Sequence, residues 1–124
     1  MIKIDTKLAP GAIGPYSQGF TVNNLVFTSG QIPVNPEDGS IPEDIAGQAA
    51  QSCKNVKAIL EAAGSSMDKV IKTTCFLAAM EDFAAFNEVY GQYFTGRPAR
   101  SCVAVKEFPK RDKKGKKKMK SKWE

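Results

Sequence analysis

Arg100 offers the most chemistry in this chain. Its guanidinium is a planar fork that can hold both oxygens of a carboxylate, and it stands two residues from a thiol in the run Arg100-Ser101-Cys102. Two earlier runs carry complementary groups. Gly14-Pro15-Tyr16-Ser17-Gln18 supplies a phenol, and Thr28-Ser29-Gly30-Gln31 supplies a hydroxyl beside a glycine whose backbone can approach a ligand closely. Each group also has a plainer reading. Arg100 could serve a structural ion pair, Cys102 could be a buried and inert thiol, and Ser29 and Gly30 could be ordinary turn residues. Tyr16 could close an interface without catalysing anything. The chain contains no histidine, so a nucleophilic Cys102 would lack the base it needs.

These groups must be held by elements that the hydrophobic pattern outlines. Residues 2–4 suit a short strand, and residues 8–15, with Pro10, Gly11, Gly14 and Pro15, form a loop. Residues 16–22 read as a strand with Tyr16, Gln18 and Phe20 on one face. Asn23-Asn24 makes a two-residue turn into a second strand over residues 25–29. After a loop over residues 33–42, apolar residues recur at helical spacing from Ile45 to Ala63, and Gly64 is a natural stop. Residues 70–77 are rich in strand formers. Residues 80–94 return to helical spacing through Phe83, Phe86, Val89, Tyr90 and Tyr93, and residues 100–105 alternate as a strand. The order predicts an α+β fold: a mixed sheet with two helices packed on one face, whose other face needs cover from a second subunit.

Composition limits the function classes. A chain of 124 residues with 42% hydrophobic content fits one modest domain. Residues 1–109 carry 9 Lys and Arg against 11 Asp and Glu, a net of −2; residues 110–124 carry 9 against 2, a net of +7. The basic balance therefore belongs to the lysine-rich tail, and it does not make the domain a nucleic-acid surface. No recognition helix, aromatic reading surface or zinc-finger spacing accompanies the tail, so no specific nucleic acid is expected. Residues 1–110 read as one domain, and residues 111–124 as an atypical, disordered tail without strand alternation. Cys53, Cys75 and Cys102 are odd in number and lack metal spacing, which suits a reduced, cytoplasmic protein. No apolar stretch reaches the length of a membrane span, and no nucleotide loop or metal motif is present, so no membrane, cofactor or metal is expected.

The runs Ala12 to Gln18, Thr28 to Pro33, Pro98 to Val103 and Pro109-Lys110, with Gln48, Asn55, Phe83, Asn87, Tyr90 and Phe94 between them, closely resemble the Rid proteins, the YjgF/YER family of reactive intermediate deaminases. The resemblance implies a subunit like that of bacillus chorismate mutase and a homotrimer with clefts between subunits. It implies hydrolysis of 2-imino acids such as 2-iminobutanoate, or their enamine tautomers, to 2-keto acids and ammonia. By the same resemblance Arg100 binds the substrate carboxylate and the Cys102 backbone contacts the substrate. Ser29 and Gly30 bind substrate, the first by donating to its carboxylate and the second by close backbone approach. Tyr16 is a catalytic residue that closes the cleft across a subunit boundary and hydrogen-bonds to substrate or water. Asn87 lies near the cleft as a substrate-binding residue, unless it only caps or fixes a loop. A glutamate on a last strand is implied in handling water, and its place falls at Gly115. That departure favours, as the alternative, a homotrimer that binds small carboxylates without turnover. An RNA-cleaving translation inhibitor, a label some members of the family carry, is a lesser one.

Overall fold

The computed structural model describes residues 1–109 and the backbone of residues 121–123. Its elements run β1 (Ile2–Ile4), β2 (Gly19–Val22), β3 (Leu25–Thr28), α1 (Ile45–Ala62), β4 (Lys72–Leu77), α2 (Phe83–Tyr93), β5 (Ala99–Ala104) and β6 (Ser121–Trp123). Single 3-10 turns at Met67–Lys69 and Met80–Asp82 lead into β4 and α2.

Helix α1 is the spine. Asp44 caps its first turn by accepting the Gly47 N–H at 3.1 Å. At its end Ser65 N donates to Leu60 O at 2.8 Å and Gly64 N to Glu61 O at 3.0 Å, with Gly64 at φ 81°. This is a Schellman stop, which a side chain at position 64 would strain. The buried stripe of α1, Ala49, Cys53, Val56 and Leu60, packs with Phe86, Tyr90 and Phe94 from the second helical segment and with Cys75 and Leu77 of β4. Gly96, just past α2, lets two backbones meet: a Cβ there would lie 2.5 Å from Asp68 O.

The strands correct the expectation of one mixed sheet in a chorismate-mutase-like subunit. They form two three-stranded sheets, in the orders β1-β2-β3 and β5-β4-β6. The first is antiparallel throughout. In the second, β4 and β5 are parallel with α2 as their crossover, and β6 runs antiparallel to β4. Between β3 and β4 lies a cavity of about 400 Å³ lined by Val26, Val56, Leu60, Ile71 and Phe94 among others. Apolar side chains, not ladder bonds, separate the two edges. Among the described residues β6 pairs with β4 at Cys75–Leu77.

A second correction concerns the strand read over residues 16–22. It begins only at Gly19. Tyr16 N bonds back to Gly14 O at 2.8 Å, which turns the chain before pairing can start. Gln18 is buried and uses its side chain on the preceding loop. It accepts from Thr6 N at 2.7 Å and donates to the carbonyls of Thr6, Ala9 and Pro10 at 2.9 to 3.3 Å. The tail reading over residues 111–124, and Gly115 with it, lies outside the described residues except at Ser121–Trp123, where the backbone is a strand that the sequence pattern did not disclose. Among the described residues, no helix is long and apolar enough to cross a membrane.

Candidate functional site

Strand β5 projects Arg100 and Cys102 toward the helix layer and Ser101 and Val103 to the opposite, exposed face. Arg100 meets α2 there. Its Nη1 donates to Asn87 Oδ1 at 2.6 Å, and its Cζ lies 4.8 Å from the centre of the Tyr90 ring and 5.4 Å from that of Phe83. Phe83, Asn87 and Tyr90 stand at i, i+4 and i+7, one stripe of the helix. Among the described residues Arg100 is paired with no carboxylate. The partners it has among the described residues, Asn87, Phe83 and Tyr90, are neutral.

The Tyr90 hydroxyl shares a 2.7 Å hydrogen bond with Thr73 Oγ1, the residue opposite Arg100 in the β4–β5 register. On the other face of the strand pair, Lys72 Nζ donates to Ser101 Oγ at 3.3 Å. Neither Thr73 nor Tyr90 stands out in the sequence as part of the site. The i, i+4, i+7 spacing is there in the residues, but it is also the spacing of an ordinary core stripe.

Cys102 offers backbone rather than sulfur. Ala99 N donates to Ile71 O and Val105 N to Leu77 O, so the odd-numbered residues of β5 turn their amides to β4. By the alternation of a parallel strand, the N–H and C=O of Cys102 point to the outer edge of the sheet. Desolvation pushes the Cys102 thiol above its ordinary range, with Arg100 opposing by a smaller amount. Burial is also the first cause for Cys75, whose thiol is pushed up from 9.0 to about 12, and for Cys53, which is pushed up further. All three are free thiols, held in the neutral form that is neither nucleophile nor metal ligand.

This sets a pH dependence for stability. Folding keeps these thiols protonated where unfolded thiols ionise, so their contribution is full below about pH 9 and is lost as pH climbs toward 12. The loss is at most ~1.4 kcal/mol per pH unit for each thiol. Urea midpoints at pH 8 and pH 10.5 should therefore converge in part in a Cys75→Ala variant. An undiminished gap would show that the buried thiol is not the cause.

Among the described residues no hydrogen bond joins the remaining expected residues to Arg100. Tyr16 is 49% exposed and its hydroxyl accepts from Ile13 N at 3.3 Å, closing its own loop. Ser29 Oγ donates to Ser17 O at 2.5 Å, and Gly30 sits beside it at the end of β3, in the other sheet. Asn87 and Arg100 meet; Tyr16, Ser29 and Gly30 form a second group. Among the described residues no cluster of three His, Cys, Asp or Glu is placed to hold a metal ion.

The family model described as Endoribonuclease L-PSP matches residues 6–114. The chain is 52% identical over 111 residues to the 2-iminobutanoate/2-iminopropanoate deaminase of Escherichia coli K12, covering 86% of this chain and 87% of that protein. Its structure is similar to that of E. coli TdcF with bound serine, at TM-score 0.90 and 47% identity, covering 99% of this chain and 94% of that one. It is also similar to RidA from an Antarctic Psychrobacter, at TM-score 0.90 and 37% identity, covering 99% and 95%. The subunit fold is thus that of these α+β proteins, two helices over separate small sheets, and the chorismate-mutase-like assignment gives way to it.

Proposed function

Because this chain belongs to the Rid/YjgF family of reactive-intermediate deaminases, we propose that it hydrolyses reactive 2-imino acids to 2-keto acids and ammonia, with Arg100 receiving the substrate carboxylate. The observation that carries this reading is the cradle of Asn87, Phe83 and Tyr90, which orients the guanidinium without neutralising it. A carboxylate docked on that fork would place the imine carbon near the open backbone edge of Cys102. The protonated imine is attacked by water at C2, the tetrahedral carbinolamine passes a proton from oxygen to nitrogen, and the C–N bond breaks to release ammonia. The Cys102 amide and carbonyl orient the imine and the attacking water, and water carries the proton between them.

The cleft is completed by a second copy in a homotrimer. Tyr16, Ser29 and Gly30 form one wall and Arg100 with Asn87 the other, and no hydrogen bond links the two groups among the described residues. The face turned from the helices exposes Phe27 at 58%, Ile71 at 70% and Val103 at 47%, an apolar surface of the kind subunits cover. Three free thiols suit a reducing cytoplasm. The histidine-free chain and the neutral groups around Arg100 favour imine hydrolysis over phosphodiester cleavage.

The test is competition for the imine. Threonine dehydratase generates 2-iminobutanoate, semicarbazide traps it, and the purified chain should lower semicarbazone formation in proportion to its concentration. An unchanged yield with folded protein would leave a carboxylate binder without turnover. Cys102→Ser should keep kcat/KM within about threefold, since the backbone and not the sulfur is used. A loss beyond a hundredfold would return the thiol to the mechanism.

A further inference from the structure

We infer that Tyr90 is a positioning residue for Arg100, a ring clamped in place by Thr73 so that the guanidinium presents its free edge to the substrate carboxylate. This rests on the reading of Arg100 as the carboxylate site. The Tyr90 ring cannot drift: it is only 8% exposed, stacks on Phe94 with centroids 4.5 Å apart at 23°, and packs on Phe86 at 6.0 Å. Its hydroxyl bonds Thr73 Oγ1 at 2.7 Å, and Thr73 is the β4 residue paired with Arg100 in register. The same strand pair therefore fixes both the base of the arginine and the tip of the ring beneath it.

A guanidinium has many rotamers, and a single bond from Nη1 to Asn87 leaves it free to swing about that contact. The Tyr90 face, 4.8 Å from Cζ, removes that freedom by attraction to the cation, and Phe83 at 5.4 Å adds to it. The two rings also exclude water from the stem side of the fork, which strengthens any ion pair made at the open edge. Neither ring touches a reacting atom in this arrangement. Their effect is on how well the arginine is pre-organised, so it should be read in substrate binding more than in turnover.

The experiment measures binding of 2-oxobutanoate by calorimetry together with KM and kcat in the imine competition assay. Tyr90→Leu should raise Kd and KM about tenfold while kcat changes less than about threefold. Tyr90→Phe, which keeps the ring face but loses the bond to Thr73, should raise Kd by an intermediate factor of about threefold. Phe83→Leu, at a half-buried site that can be changed with little risk to folding, should shift Kd in the same direction by a smaller factor. Folded Tyr90→Leu with parental Kd and KM would overturn the proposal; if that variant does not fold, a parental Kd in Phe83→Leu would overturn it. Arg100→Ala in the same titration separates the two claims. Retained binding there defeats the carboxylate site itself, whereas lost binding there with parental binding in the ring variants defeats only the positioning role.

Discussion

Arg100→Ala is expected to lower kcat/KM for 2-iminobutanoate by about a thousandfold, since two charge-assisted hydrogen bonds of ~2 kcal/mol each are lost with the fork. Thermal stability should change little. The side chain is half-buried and among the described residues donates to one acceptor, Asn87 Oδ1, which water can reach once the guanidinium is gone. A fall in Tm of no more than a few degrees would place the defect in binding rather than folding. Arg100→Lys restores the charge but not the planar pair of donors, and it should recover no more than about tenfold of the loss. A lysine variant with parental kinetics would mean that charge alone is used. An alanine variant with parental kinetics would remove Arg100 from the site.

The second large effect is structural. Asn55→Ala should cost about 3 kcal/mol and lower Tm by about 10 °C. Asn55 is fully buried in α1, donating from Nδ2 to Ile32 O and Val34 O at 3.0 Å each and accepting from Gln51 Nε2 at 2.9 Å. It ties the loop that follows Ser29 and Gly30 to the helix layer. Truncation leaves buried carbonyls without donors and opens a small void. Asn55→Asp should be worse than Ala, because a carboxylate there would face two carbonyl oxygens in a buried site. A drop of under about 3 °C in the alanine variant would show that the loop is held by other contacts.

Much of this was legible in the residues, and what was not has physical causes. Helix α1 announces itself because a 3.6-residue period sustained from Ile45, with Gly64 to stop it, has no good alternative as strand. Of the candidate residues named through the runs shared with the Rid proteins, Asn87 meets Arg100, while Tyr16 and Ser29 bond to Ile13 and Ser17 instead. Tyr16 was assigned to a strand because alternation with Gln18 and Phe20 is real in the sequence. It failed because the buried Gln18 amide satisfies the carbonyls of an adjacent loop instead of facing a neighbouring strand. The division into two sheets could not be read, since alternation tells which face a residue takes but not which strand lies beside it. The Tyr90–Thr73 link was hidden for a related reason: it depends on how α2 crosses from β4 to β5, which no local pattern records. Expectations about Gly115 and the lysine-rich run lie outside the described residues.

The most direct measurement is the crystal structure of the protein with 2-oxobutanoate, the keto acid product. The account predicts the carboxylate held by both ends of the Arg100 fork, with the C2 oxygen turned to the backbone edge of Cys102 and a second copy contributing Tyr16 or Ser29 to the same cleft. A ligand whose carboxylate is bound elsewhere, with Arg100 still engaged only by Asn87, Phe83 and Tyr90, would contradict it.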